Sequence, residues 1–99
     1  MSAADDEIRN ALLDHGDDGR TPRHTLFFFY DGDIEALEAA GRAEGFATRR
    51  MLEHSGLILE KTMAVDADRF EAVSAMMDAW AERFSSEFDG WECEVQANG

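Results

Sequence analysis

His24-Thr25-Leu26-Phe27-Phe28-Phe29-Tyr30 is the stretch on which the fold turns. The unbroken apolar run from Leu26 to Tyr30 suits a central strand better than a one-sided strand, which would alternate with polar residues. Upstream, Gly16-Asp17-Asp18-Gly19-Arg20-Thr21-Pro22-Arg23 brings two glycines, paired acids and the only proline together, and reads as a loop. Before it, Ile8, Ala11 and Leu12 recur at helical spacing between Asp5 and Leu13, and His15-Gly16 supplies a stop.

Downstream, Asp31 or Asp33 can cap a helix whose apolar face is Ile34, Leu37, Ala40 and Gly41 and which ends near Gly45. Phe46 to Glu53 and Leu57 to Val65 form two extended runs joined by His54-Ser55-Gly56, as in an antiparallel hairpin. Asp66 is positioned to cap a longer helix, Ala67 to Phe84, on which Phe70, Val73, Met77, Trp80 and Phe84 make one apolar stripe. After an Asp89-Gly90 turn, Trp91, Cys93 and Val95 alternate with Glu92, Glu94 and Gln96 as in a half-buried strand.

The expected order is a helix followed by βαββαβ, an α+β, ferredoxin-like arrangement with a four-stranded antiparallel sheet. Its usual spatial order, 4-1-3-2, places the most apolar runs, Leu26 to Tyr30 and Leu57-Ile58-Leu59, in the middle. Arg49-Arg50 and Glu92/Glu94 then fall on edge strands, where charge discourages unwanted pairing. At 99 residues the chain reads as one domain, residues 1–23 forming an N-terminal helix and loop and residues 24–97 the core.

Charge narrows the function classes. The 22 acidic residues against 9 basic ones give a formal net of -13, which repels nucleic acid and attracts basic partners, while also keeping a small protein soluble. A single cysteine, Cys93, no signal-peptide pattern and no apolar run near the roughly 20 residues of a membrane span make a soluble, cytoplasmic protein the expectation.

Candidate chemistry is sparse. Asp31-Gly32-Asp33-Ile34-Glu35 alternates acids like a calcium loop, but Ala36 stands where the loop's glycine belongs and Arg42 where its closing glutamate belongs, so a helix cap is the better reading. His15, His24, His54 and Cys93 show no zinc-ligand spacing, and Cys93 shares a face with Trp91 and Val95 as a small core residue would. No catalytic, cofactor-binding or metal residue is assigned, and no cofactor is expected. An open sheet face bearing aromatics is how one ferredoxin-like family stacks RNA bases, but the surrounding charge is wrong and core packing is the preferred role of the aromatic run. Outward members of Phe27 to Phe29 are left to meet the N-terminal helix, a second copy or a partner. A non-enzymatic protein binder is the leading expectation. A small-molecule-binding or enzymatic domain, which needs a concave site with convergent polar groups, is the alternative.

The segments Gly16-Asp17-Asp18, Pro22-Arg23-His24, Leu26 to Tyr30, Ile34-Glu35-Ala36-Leu37-Glu38 leading to Gly45-Phe46, and Phe88-Asp89-Gly90-Trp91 occur in an order that resembles the ribonuclease E inhibitor family of the regulator of ribonuclease activity B (RraB) type. The resemblance spans most of the chain and implies a ferredoxin-like fold and a regulator that binds ribonuclease E and restrains RNA turnover. It also implies a partner with disordered, arginine-rich regions, which suits an acidic domain. With ribonuclease E or another basic, arginine-rich protein as partner, the acidic segments near the N-terminus and from Glu87 onward are the expected contacts. Asp17, Asp18, Asp89, Glu92 and Glu94 are their named candidates.

Overall fold

A computed structural model describes residues 3–14, 16–17, 19–52 and 54–93. The elements are α1 (Ala3–Asp14), β1 (Arg23–Tyr30), α2 (Ile34–Ala43), β2 (Ala47–Arg50), β3 (Gly56–Met63), α3 (Ala67–Arg83) and β4 (Glu87–Cys93). Each helix ends in the same way, with the two amides past the end reaching back to carbonyls of the last turn through one residue of left-handed backbone. In α1 the Gly16 amide donates to the Leu13 carbonyl and that of Asp17 to Leu12, both at 2.9 Å. In α2 Gly45 donates to Arg42 and Phe46 to Gly41, and in α3 Ser85 donates to Glu82 and Ser86 to Ala81. Gly16 and Gly45 adopt φ of 75° and 89° without a Cβ penalty, whereas Ser85 is held at 52°.

The helix starts differ. Asp33 caps α2, its Oδ1 accepting from the Ala36 amide at 3.1 Å, so of the two acids around Gly32 it is Asp33 that serves the helix. Asp66 has extended backbone at the α3 cap position, but its side chain makes no capping bond, contrary to the sequence expectation. The Gly19 carbonyl instead receives both the Val65 and Asp66 amides, so the loop before β1 seats the entry to α3.

The strands form one antiparallel sheet in the order β2-β3-β1-β4, which is 4-1-3-2 read from the other edge. The two most apolar strands therefore lie in the middle. Several strand boundaries differ from the sequence reading, and two of the differences have a clear structural cause. The second strand stops at Arg50 rather than Glu53, because the Met51 amide closes the hairpin on the Gly56 carbonyl at 3.1 Å and Gly56 already belongs to β3. Asp89-Gly90 is not a turn before the last strand. That strand starts at Glu87, and its register against β1 shifts between Phe28 and Phe29, leaving Asp89 as the extra residue of a bulge beside Gly90 at φ 117°. The bulge has a packing consequence: it turns Phe88 to the same side as Trp91, although strict alternation would separate them.

One sheet face carries the core. Phe27 lies opposite Leu59 and Trp91, and Phe29 opposite Leu57 and Phe88. Leu37 and Gly41 of α2 and Phe70, Met77 and Trp80 of α3 are buried against this face. Phe27 stacks on Phe70 and meets Phe46 edge-on at centroid separations of 5.8 Å, and Phe70 lies 4.3 Å from Trp91. Gly41 permits close approach of α2, since a Cβ there would stand 2.7 Å from a methyl of Leu59. Leu12 and Ile8 bring α1 onto the same core.

Candidate functional site

The alternation of β1 splits the aromatic run between two environments. Arg23, Thr25, Phe27 and Phe29 are buried toward the helices, while His24 is exposed and Leu26, Phe28 and Tyr30 are half-buried on the opposite face. With Ile58 of β3 they form an apolar strip outside the core cluster, on the side away from α2 and α3. Across from Leu26 stand Glu60 and Glu92, across from Phe28 stand Ile58 and Gly90, and across from Tyr30 stand Gly56 and Glu87.

Charge is distributed unevenly around this strip. At the β2 edge the arginines are engaged: Arg49 pairs with Glu60 at 2.6 Å, and Arg50 and Arg42 reach Glu38 at 3.1 and 3.6 Å. The hydrogen bonds that Glu38 receives from Arg50 and Thr48 hold its carboxyl below the usual carboxylate range. His24 Nε2 also lies 3.2 Å from Glu60. At the β4 edge Glu87, Asp89 and Glu92 are exposed and make no ion pair among the described residues. The acidic excess of the composition thus emerges on this side of the sheet as charge that no cation among the described residues pairs with.

The residues expected to touch a partner divide accordingly. Asp89 and Glu92 lie together on β4, Asp89 exposed at the bulge and Glu92 beside Leu26. Asp18 and Glu94 lie outside the described residues. Asp17 corrects the expectation that the loop acids face a partner, because it is fully buried. Its carboxylate receives both terminal nitrogens of Arg23, Nη1 on Oδ2 and Nη2 on Oδ1, the latter at 2.8 Å, and also accepts the Gly19 amide at 2.9 Å. Arg23, itself 2% exposed, donates Nε to the Thr21 carbonyl, so this pair locks the loop onto the end of β1. Asp17 holds the guanidinium above its ordinary pKa. Arg23 also neighbours Cys93, a free thiol that burial pushes upward in pKa.

The sequence reading missed the apolar strip as a unit, because a continuous apolar run does not show which members point outward. The signal was present in the glycines, since Gly90 and Gly56 are the cross-strand neighbours of Phe28 and Tyr30. The clefts at the α3 entry, between β3 and α3, and beside His24 measure about 270, 240 and 220 Å³, below the roughly 300–1,000 Å³ of small-molecule sites. No helix among the described residues is long and apolar enough to cross a membrane.

The sequence model of one family, RraB, described as regulator of ribonuclease activity B, matches residues 2–93. No curated protein matches the chain.

Proposed function

The chain belongs to the RraB family, regulators of ribonuclease activity, and from that premise we propose that it is a non-enzymatic inhibitor of ribonuclease E that modulates RNA turnover by binding the enzyme. Its βαββαβ core, read as ferredoxin-like with α1 added, serves as a scaffold for a surface. The observation that carries the reading beyond the family is the β4 edge, where Glu87, Asp89 and Glu92 stand exposed without cationic partners among the described residues. Such carboxylates suit a guanidinium-rich segment through paired hydrogen bonds, and Asp18 and Glu94 extend the same proposed contact. The small clefts support a surface binder over a domain that encloses a substrate.

Exposed pairs contribute on the order of 0–1 kcal/mol each, so affinity requires several of them together with apolar contact. Charge steering then appears in the association rate. The test measures association of the protein with the arginine-rich segment of ribonuclease E over a salt series, together with RNA cleavage by the enzyme. Rising salt is expected to slow association, and Asp89→Lys with Glu92→Lys is expected to slow it further and relieve inhibition while the fold is retained. An association rate indifferent to both salt and the double reversal would remove the electrostatic reading.

A further inference from the structure

We infer that the face of the sheet away from α2 and α3 is a docking surface for a short basic segment in which one large apolar residue stands between two cationic ones. The inference rests on the reading of the protein as a binder of a basic ribonuclease segment and adds which face is used and what pattern it accepts. The apolar part is the row Leu26, Phe28 and Tyr30 along β1, widened by Ile58. All four side chains are half-buried and outside the core cluster. Beside this row, the residues of β4 in register are Glu92 opposite Leu26, Gly90 opposite Phe28 and Glu87 opposite Tyr30. The sequence of features is carboxylate, gap, carboxylate. Gly90 leaves one side of the Phe28 ring without a cross-strand side chain, so an incoming apolar group can lie there. The bulge at Asp89 keeps Glu87 and Glu92 on the same face despite their odd separation, so both bracket that gap.

The spacing follows from strand geometry. Leu26 and Tyr30 are four residues apart along β1, about 13 Å at roughly 3.3 Å per residue. An extended partner therefore matches with cations at positions i and i+4 around an apolar residue at i+2. Charge selects among occupants. A second copy would bring Glu87 and Glu92 against like charge, and single-stranded RNA would bring phosphates to the same carboxylates, whereas a cationic segment pairs with both.

The experiment titrates the isotope-labelled full chain with a synthetic peptide having Arg-Ala-Trp-Ala-Arg at its centre, following amide shifts. Parallel arms use the peptide with glutamates in place of its arginines, a uridine-rich single-stranded RNA, and the protein alone at increasing concentration. Shifts confined to 26–30, 57–59 and 87–92 are expected, with weakening of about three- to tenfold in Glu87→Gln/Glu92→Gln and comparable loss in Phe28→Ala. The glutamine pair alters only exposed side chains, so it remains decisive if Phe28→Ala lowers stability. Equal binding of the glutamate peptide, preferential binding of RNA at this face, shifts spread over the whole acidic surface, or self-association through this face would each overturn the inference. The ribonuclease assay separates the two claims. Inhibition untouched by these variants would remove the docking face and leave the regulator reading standing, while peptide docking without any effect on ribonuclease would do the reverse.

Discussion

Asp17→Asn removes one charge while leaving almost the same atoms in place, and it tests whether the loop before β1 is held by a buried ion pair. In the native protein both side chains are inaccessible to water, and the carboxylate accepts from two terminal nitrogens of Arg23 and from the Gly19 amide. Asparagine can still accept from Gly19, but it takes from the buried guanidinium the negative charge that Asp17 places against it. Breaking one side of a buried pair costs about 3–5 kcal/mol, a large share of the roughly 5–15 kcal/mol that stabilises a domain. At about 4–8 °C per kcal/mol for this size, the midpoint should fall by roughly 12–40 °C. Urea unfolding followed by the fluorescence of the buried Trp80 and Trp91 gives the free energy directly. The cycle is completed by Arg23→Met and by the double variant Asp17→Leu/Arg23→Met. The double variant should lose less than Asp17→Asn or Arg23→Met alone, since removing both members of the pair avoids the buried charge imbalance that each single change creates. A loss below about 1 kcal/mol in Asp17→Asn, the range of exposed pairs, would refute the argument that this pair is sealed from solvent.

Three further outcomes follow from packing and ionisation. Trp91→Ala should cost about 3–5 kcal/mol in urea unfolding, because the indole is buried against Phe70; a variant of native stability that merely loses a partner would move Trp91 to the interface. Ser85→Gly should raise stability by up to about 1 kcal/mol by relieving the left-handed backbone at φ 52°, and a lowered thermal midpoint would count against a strained cap. The Cys93 thiol is pushed upward in pKa by burial, so alkylation at mildly alkaline pH should be far slower in the folded than in the urea-unfolded chain. The sign for stability is matched: the contribution is constant below the ordinary thiol range and declines as pH rises past it, where the unfolded chain ionises first. Equal alkylation rates in the two states, or a Cys93→Ala variant with the same alkaline decline, would contradict this.

Much of the architecture was legible because local chemistry and global packing agree. Helical periodicity placed Phe70, Met77 and Trp80 on one face of α3, and glycine after an apolar stripe marked the ends of α1 and α2. The apolar content of Leu26 to Tyr30 and of Leu57 to Leu59 put those strands in the centre, where the sheet has them. Less was legible at the ends of strands. Phe46 to Glu53 reads as one extended run, yet pairing ends at Arg50 because Met51 closes on Gly56, a contact between residues whose proximity exists only once the hairpin forms. Asp89-Gly90 carries turn chemistry in any local reading, and only the neighbouring strand converts it into a bulge.

The acidic residues draw the same line most sharply. Sequence alone determined the amount and sign of charge, the helix and strand periodicities, the central apolar strands and the family resemblance, because each is a property of composition or of local spacing. It could not decide which carboxylates are available. Asp17 and Asp89 are both acids beside glycine, yet Asp17 is sealed against Arg23 while Asp89 stands exposed on the β4 bulge. That choice belongs to the tertiary structure, because desolvation and pairing depend on which groups meet across the fold. The outward half of the aromatic run is decided in the same way: a strand's two-residue period sorts its side chains onto two faces, but only the packing of α2 and α3 decides which of the two becomes the core.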